Sequence, residues 1–92
     1  MIRSFRDPWT DALFNDQEVP RYQAFERVAR RKLLYLHQAQ RLEDLKVPPN
    51  NRIEALRGDR KGQYSIRIND QWRICFRWKD RDAFDVEIVD YH

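Results

Sequence analysis

The sequence predicts an α+β fold with an N-terminal strand and two helices packed on one face of a small, mainly antiparallel sheet. Apolar residues recur at three- and four-residue steps between residues 20 and 40, which is typical of an amphipathic helix. Three segments between residues 63 and 88 alternate apolar and polar side chains and are joined by short turns, as in an antiparallel meander. The length of 92 residues predicts one domain over residues 1–92.

The helical elements follow a short strand predicted at Met1–Phe5. A first helix should start at Asp7–Pro8, because aspartate caps free N–H groups and proline suits the first helical position, and it should end near Asn15. A longer helix should run from Pro20 to about Gln40. Its apolar face is formed by Tyr22, Phe25, Ala29, Leu33 and Leu36.

A loop and a glycine turn separate the helices from the predicted meander. The prolines of Pro48–Asn51 stop any helix, and Ile53–Arg57 should be briefly extended. Gly58 and Gly62 bracket a tight turn that favours positive φ. The three strands are predicted at Gln63–Ile68, Trp72–Trp78 and Phe84–Ile88, with their apolar side chains on the helices.

Composition restricts the classes of partner. Residues 52–81 carry nine basic and four acidic side chains, whereas residues 82–92 carry four acidic and no basic ones. The basic segment suggests a polyanion partner, and an ordinary surface of mixed charge is the alternative. No apolar run approaches the roughly 20 residues of a membrane span, and no signal peptide is visible. With Cys75 the only cysteine, these features favour the cytoplasm and predict no membrane contact, metal or other cofactor.

Arginines occupy the polar positions of the first two meander strands. Arg67 and Arg73 lie on neighbouring strands joined by a short hairpin loop, so they could share a sheet face with Arg77. A guanidinium binds phosphate through two parallel hydrogen bonds and keeps its charge at neutral pH. This face could therefore bind RNA phosphate. In the alternative interpretation, the arginines pair with Asp85 and Glu87 across the sheet.

Two further basic groups are candidates for RNA contact. Arg57 precedes the glycine turn, and Arg60 and Lys61 lie within it. The second group lies on the long helix, where a solvated face is the more common interpretation of such a run. Its members are Arg27, Arg30 and Arg31.

The chain ends on a carboxylate, a phenol and an imidazole, at Asp90, Tyr91 and His92. These groups could orient one another, stack on a base, and transfer a proton near neutral pH. Spacing alone favours a solvated tail instead. Cys75 lies in a predicted strand and is interpreted as a small strand residue rather than a reactive thiol.

Several of these segments together resemble the HigB branch of the RelE/ParE toxin superfamily. The matching segments are Met1–Phe5, Leu56–Arg60, Ser65–Ile74 and Val89–His92, and the length and element order match as well. The resemblance implies a RelE/ParE-like fold and the toxin of a type II toxin–antitoxin system that cleaves mRNA in the ribosomal A site. It also implies three partners: a HigA-like helix-turn-helix antitoxin, the small ribosomal subunit with its mRNA, and operator DNA through the antitoxin only.

The same resemblance assigns catalytic residues. They are Arg57, Arg73, Asp90, Tyr91 and His92. Such toxins often have a histidine three residues before the basic residue of the turn, and Glu54 stands at that position here. A carboxylate could serve as the general base there, or the site could be weaker.

The implied reaction is metal-independent attack of the 2′-OH on the adjacent phosphate. Arg73 and Arg57 would supply positive charge, and His92, oriented by Asp90, would transfer a proton. The sequence leaves Glu54, Asp90 and His92 open as the base. The alternative from a different class is a non-catalytic, ParE-like toxin that inhibits DNA gyrase.

Overall fold

The computed structural model describes residues 1–90, in which two helices pack on a four-stranded antiparallel sheet. The strands follow one another across the sheet in chain order, as a meander does. The predicted α+β class is confirmed. The helices are α1 (Pro8–Phe14) and α2 (Glu26–Gln38), and the strands are β1 (Glu54–Ala55), β2 (Gln63–Arg67), β3 (Trp72–Lys79) and β4 (Asp82–Asp90).

Helix α1 begins where the sequence predicts, and its first turn is tied to the sheet. Asp7 caps the helix by accepting from the backbone N–H of Thr10 at 2.7 Å, and Pro8 occupies the first turn. The Thr10 hydroxyl donates to Asp7 and accepts from the backbone N–H of Ile88 at 3.1 Å. The cap therefore also fixes the position of α1 against β4.

The long helix predicted from Pro20 is divided in two. Pro20–Phe25 forms a 3-10 helix, and Phe25 leaves helical geometry at φ −134° and ψ 20° before α2 begins. The rings of Phe25 and Tyr22 lie 5.1 and 5.9 Å from the ring of Trp72. Packing both rings against β3 is the tertiary contact that accompanies the break, and the periodicity of the sequence could not reveal it.

The predicted strand at Met1–Phe5 is reduced to two parallel bridges to β4, which join Ile2 to Ala83 and Phe5 to Val86. Between them, Asp85 adopts φ 53° and donates its backbone N–H to the Ser4 hydroxyl at 2.8 Å. The β3–β4 register also shifts at this level. The predicted short strand is therefore present only as these two bridges, because the irregularity at Asp85 interrupts the pairing edge of β4.

The two faces of the sheet differ in chemistry, as the alternation predicts. Ile66, Ile74 and Ile88 are cross-strand partners on the helix side and are buried. The opposite face, here called the arginine face, carries Ser65, Arg67, Arg73, Cys75 and Glu87. Much of this face is also covered, since Ser65 and Cys75 are 0% exposed and Arg73 is 8% exposed. The centre of the arginine face is therefore shielded from solvent.

The glycine turn forms as predicted. Gly58 and Gly62 adopt φ values of 63° and 93°, which a side chain would disfavour, and Gly58–Arg60 makes one 3-10 turn between β1 and β2. Across residues 1–90, no helix is long and apolar enough to cross a membrane.

Candidate functional site

Arg73 is held at the centre of the arginine face. Its Nε donates to the Ser65 hydroxyl at 2.7 Å, and its Nη2 donates to the backbone carbonyl of Arg52 at 2.6 Å. The carbonyl of Ser65 lies 3.4 Å from the same Nη2. A guanidinium with several fixed acceptors cannot reorient, so its charge stays at one place on the protein.

Glu54 brings a carboxylate to this guanidinium. It is one of the two residues of β1 and pairs with Ser65 across the sheet. Its Oε1 lies 3.3 Å from Nη2 of Arg73, and its side chain remains 54% exposed. The pair therefore joins an anchored, buried cation to a carboxylate that solvent or substrate can reach.

A second acidic group lies on the same face. Glu87 is the cross-strand partner of Cys75, and its carboxylate lies 3.3 Å from Nε of Arg6 and 3.5 Å from Nη2 of Arg60. Arg60 also donates to the Gln63 side chain at 3.1 Å. Arg60, predicted to contact RNA, is thus held by neighbouring side chains at the glycine turn.

The cross-strand pairing proposed for the arginines occurs as predicted for Arg77, whereas Arg67 and Arg73 pair with other carboxylates. Arg77 pairs with Asp85 at 3.5 Å, both side chains being about half exposed. Arg67 stands directly opposite Arg73 and forms its ion pair with Asp70 of the hairpin turn. The Asp70 carboxylate compensates one of two like charges that face each other across adjacent strands.

The remaining residues that were predicted to contact RNA differ in their exposure to solvent. Arg57 and Lys61 flank the 3-10 turn and are exposed, as are Arg27 and Arg31 on α2. Arg30 differs, because its guanidinium donates to the carbonyls of Leu13 and Gln17 at 3.2 and 3.0 Å and lies near Glu26. Those bonds tie α2 to the end of α1. Arg30 therefore has a structural role that the sequence prediction of RNA contact did not include.

Asp90 ends β4 on the helix side of the sheet. It pairs with Trp72, whereas Arg73 pairs with Val89 on the arginine face. The side-chain amide of Gln71 donates to Asp90 at 3.0 Å. The register thus places Asp90 and Arg73 on opposite faces. The predicted site residues Tyr91 and His92 lie outside the described residues.

Cys75 lies in β3, within the strand predicted for it. It is 0% exposed, and burial is the main cause that raises the pKa of its thiol. The nearby Glu87 carboxylate raises that pKa further, whereas Arg60 and Arg73 act in the opposite direction. Within residues 1–90, no cluster of three histidine, cysteine or acidic side chains is arranged to hold a metal ion.

The sequence analysis did not identify three residues that link Arg73 to α2 through hydrogen bonds. They are Lys32, Asn51 and Arg52, which connect α2 to the arginine face. One signal was available for Lys32, because it lies three residues after Ala29 and four before Leu36, on the buried side of α2. Asn51 and Arg52 carried no such signal, since they belong to an irregular loop.

The comparisons with known proteins agree on one family. A sequence model described as the RelE-like toxin of type II toxin–antitoxin system HigB matches residues 3–92. Toxin HigB-1 of Vibrio cholerae is 40% identical over 88 residues, covering 94% of this chain and 93% of that protein. A protein named endoribonuclease HigB, from Proteus vulgaris, is 39% identical over 41 residues, or 45% of each chain.

Two solved structures share the fold. YafQ from E. coli aligns with a TM-score of 0.58 at 15% identity, covering 98% of this chain and 91% of its own. The YoeB–YefM toxin–antitoxin complex from Staphylococcus aureus aligns with a TM-score of 0.58 at 18% identity, covering 100% and 98% of the respective chains. At such identities the likeness establishes the fold alone, and it agrees with the RelE/ParE-like architecture expected from the sequence.

Proposed function

This chain belongs to the HigB-like family of RelE-related toxins from type II toxin–antitoxin systems, and on that premise we propose that it cleaves ribosome-bound mRNA in the A site. The family match confirms the toxin class predicted from the sequence, and a relative carries the name endoribonuclease. The observation that carries the proposal is the ion pair between exposed Glu54 and anchored Arg73. A reachable carboxylate beside a fixed cation fits proton abstraction next to a phosphate.

The reaction begins at the ribose 2′-OH. Glu54 accepts the hydroxyl proton as the 2′-oxygen attacks the adjacent phosphorus. The P–O5′ bond breaks, and His92, oriented by Asp90, protonates the departing 5′-oxygen. The products are a 2′,3′-cyclic phosphate and a 5′-hydroxyl, and no external water is consumed. The sequence also left Asp90 and His92 open as the base, but Asp90 lies on the face opposite Arg73, and His92 is assigned here as the acid.

Arg73 stabilises the charge that develops on the phosphate. Because Arg73 is 8% exposed and its guanidinium is held by fixed acceptors, little reorganisation accompanies the transition state. Exposed Arg57, beside the glycine turn, adds positive charge at the edge of the site. Tyr91 stacks on a base of the mRNA.

Binding to the ribosome rests on the exposed basic residues. Arg27, Arg31 and Lys61 present charge to solvent and suit the phosphates of ribosomal RNA, and Arg67 on β2 is also partly exposed. The antitoxin partner is of the HigA-like helix-turn-helix type, and operator DNA is contacted through that antitoxin only. The whole cycle takes place in the cytoplasm, on the small ribosomal subunit, and it uses no cofactor. The chain acts as one toxin domain over residues 1–92.

Primer extension on an mRNA in a translating extract tests the proposal. The toxin should produce cuts in phase with codons, and these cuts should disappear when ribosomes are omitted. Cleavage of free RNA at the same rate would contradict ribosome dependence. Inhibition of gyrase in a supercoiling assay, with the mRNA intact, would instead support the ParE-like alternative.

A further inference from the structure

Lys32 is a buried lysine whose two hydrogen-bond acceptors are neutral amides. The residue is 2% exposed, and its Nζ donates to Oδ1 of Asn50 at 3.0 Å and to Oδ1 of Asn51. The nearby charged groups, Arg31 and Arg67, are cationic and, together with burial, lower its pKa. Burying a cation beside like charges opposes folding. The contacts that Lys32 makes should therefore matter for another part of the molecule.

Asn51 connects Lys32 to the loop through hydrogen bonds. It is 0% exposed, and its Nδ2 donates to the carbonyls of Leu45 and Val47 at 3.1 and 3.3 Å. With Nδ2 committed to two carbonyls, Oδ1 must face Lys32. Lys32 and Asn51 therefore hold the loop between α2 and β1 at a single position.

Arg52 connects the loop to Arg73 through its backbone carbonyl. The backbone of Arg52 adopts φ 45°, in the left-handed region, where the chain turns from the loop towards β1. The carbonyl of Arg52 then accepts from Nη2 of Arg73 at 2.6 Å. The position of this carbonyl depends on the loop, and the loop is held by Asn51.

We propose that Lys32 and Asn51 are positioning residues, which hold the Arg52 carbonyl against the guanidinium of Arg73. This inference depends on the proposed function in one respect, namely that Arg73 takes part in cleavage. Lys32 contacts neither substrate nor the reacting atoms. It fixes the orientation of the Arg73 guanidinium.

Solvent exchange of the Arg73 Nη2 protons, which donate to the Arg52 carbonyl, is measured by NMR in the free toxin and tests this role without RNA. Lys32→Met removes the amine and keeps most of the aliphatic side chain. Loss of the loop contact should loosen the guanidinium and accelerate exchange about tenfold. The matched control is Lys79→Met, the same substitution at an exposed position at the end of β3, and its exchange should equal that of the wild type.

A second measurement separates positioning from stability alone. In single-turnover cleavage on ribosomes, the maximal rate of Lys32→Met should fall about 10- to 100-fold, with half-saturation changed less than about twofold. Lower thermal stability with unchanged Arg73 exchange and unchanged maximal rate would overturn the proposal.

A milder variant covers the case in which Lys32→Met does not fold. Asn50→Ala removes one of the two acceptors at an exposed position and should accelerate Arg73 exchange in the same direction, about twofold to threefold. Wild-type exchange in this variant would then overturn the proposal. If the wild-type toxin cuts no RNA, the proposed function fails, whereas the exchange experiment still decides the positioning role.

Discussion

The Glu54 carboxylate lies 3.3 Å from the guanidinium of Arg73, although the two residues come from different strands with β2 between them. Arg73 reaches across β2, where Ser65 fixes its Nε, to meet the carboxylate at the sheet edge. The family position at which a histidine is frequent is thus filled by an acid that contacts the anchored cation. This pairing leads to the first two predictions.

Replacing Arg73 should show that geometry matters as well as charge. Arg73→Lys keeps the charge but cannot reach Ser65, Arg52 and Glu54 together, so cleavage on ribosomes should slow about 100-fold. Arg77→Lys is the matched control, since Arg77 forms a half-exposed pair with Asp85, and its cleavage rate should stay within about twofold of wild type. Equal rates in both variants would contradict the role of Arg73.

Replacing Glu54 identifies the base. Glu54→Gln keeps the shape of the side chain but cannot take a proton at neutral pH, so the single-turnover rate should fall about 100-fold or more. Glu43→Gln, at another exposed glutamate, should leave the rate unchanged. An unaffected Glu54→Gln enzyme would transfer the role of base to Asp90 or His92.

Deleting Tyr91 and His92 tests the C-terminal part of the proposed site. The shortened chain should lose codon-phased cleavage, because the group that protonates the 5′-oxygen is removed. The urea unfolding midpoint of the shortened chain is measured alongside, so that loss of the fold is distinguished from loss of the acid. Full cleavage by the shortened chain would show that the assigned acid is wrong.

Cys75 should be nearly inert in the folded protein. Burial raises the pKa of its thiol and also shields the sulfur, so little thiolate is present at pH 8 and reagents reach it slowly. Labelling with a disulfide reagent should be at least about tenfold slower in the native protein than in urea. Equal rates would place Cys75 at the surface.

Asp82 should govern part of the acid sensitivity of the fold. Burial acts to raise the pKa of its carboxyl, but hydrogen bonds from Arg3 and the N-terminal ammonium outweigh it and hold that pKa below the usual value. A lowered folded-state pKa gives stability that is present above about pH 4 and lost as the pH falls through the folded-state pKa.

Urea unfolding at several pH values measures this contribution. Asp82→Asn should be less stable than wild type at pH 7, and the two curves should converge towards about pH 2. Asp80→Asn is the control, because asparagine also tolerates the positive φ of that exposed turn position. A constant difference between wild type and Asp82→Asn across the pH range would contradict the linkage.

Much of the fold is encoded locally. The helix start at Asp7–Pro8 and the positive φ at Gly58 and Gly62 follow from the preferences of single residues. The alternation around Ile66 and Ile74 gives the buried face of the sheet. The break at Phe25 and the bulge at Asp85 could not be predicted, because each depends on packing against a distant segment.

The candidate site follows the same division. The sequence by itself determined the α+β class through periodicity and turn chemistry, and its resemblance to known toxins indicated the family and made Arg73 and Glu54 candidates. Only the tertiary structure decided that Arg73 is buried, that Glu54 contacts it, and that Lys32 donates a hydrogen bond to Asn51 in the loop before Arg52. The physical reason is the path of the loop between α2 and β1. Hydrogen bonds to groups far away in the chain hold that loop, and no local pattern encodes them.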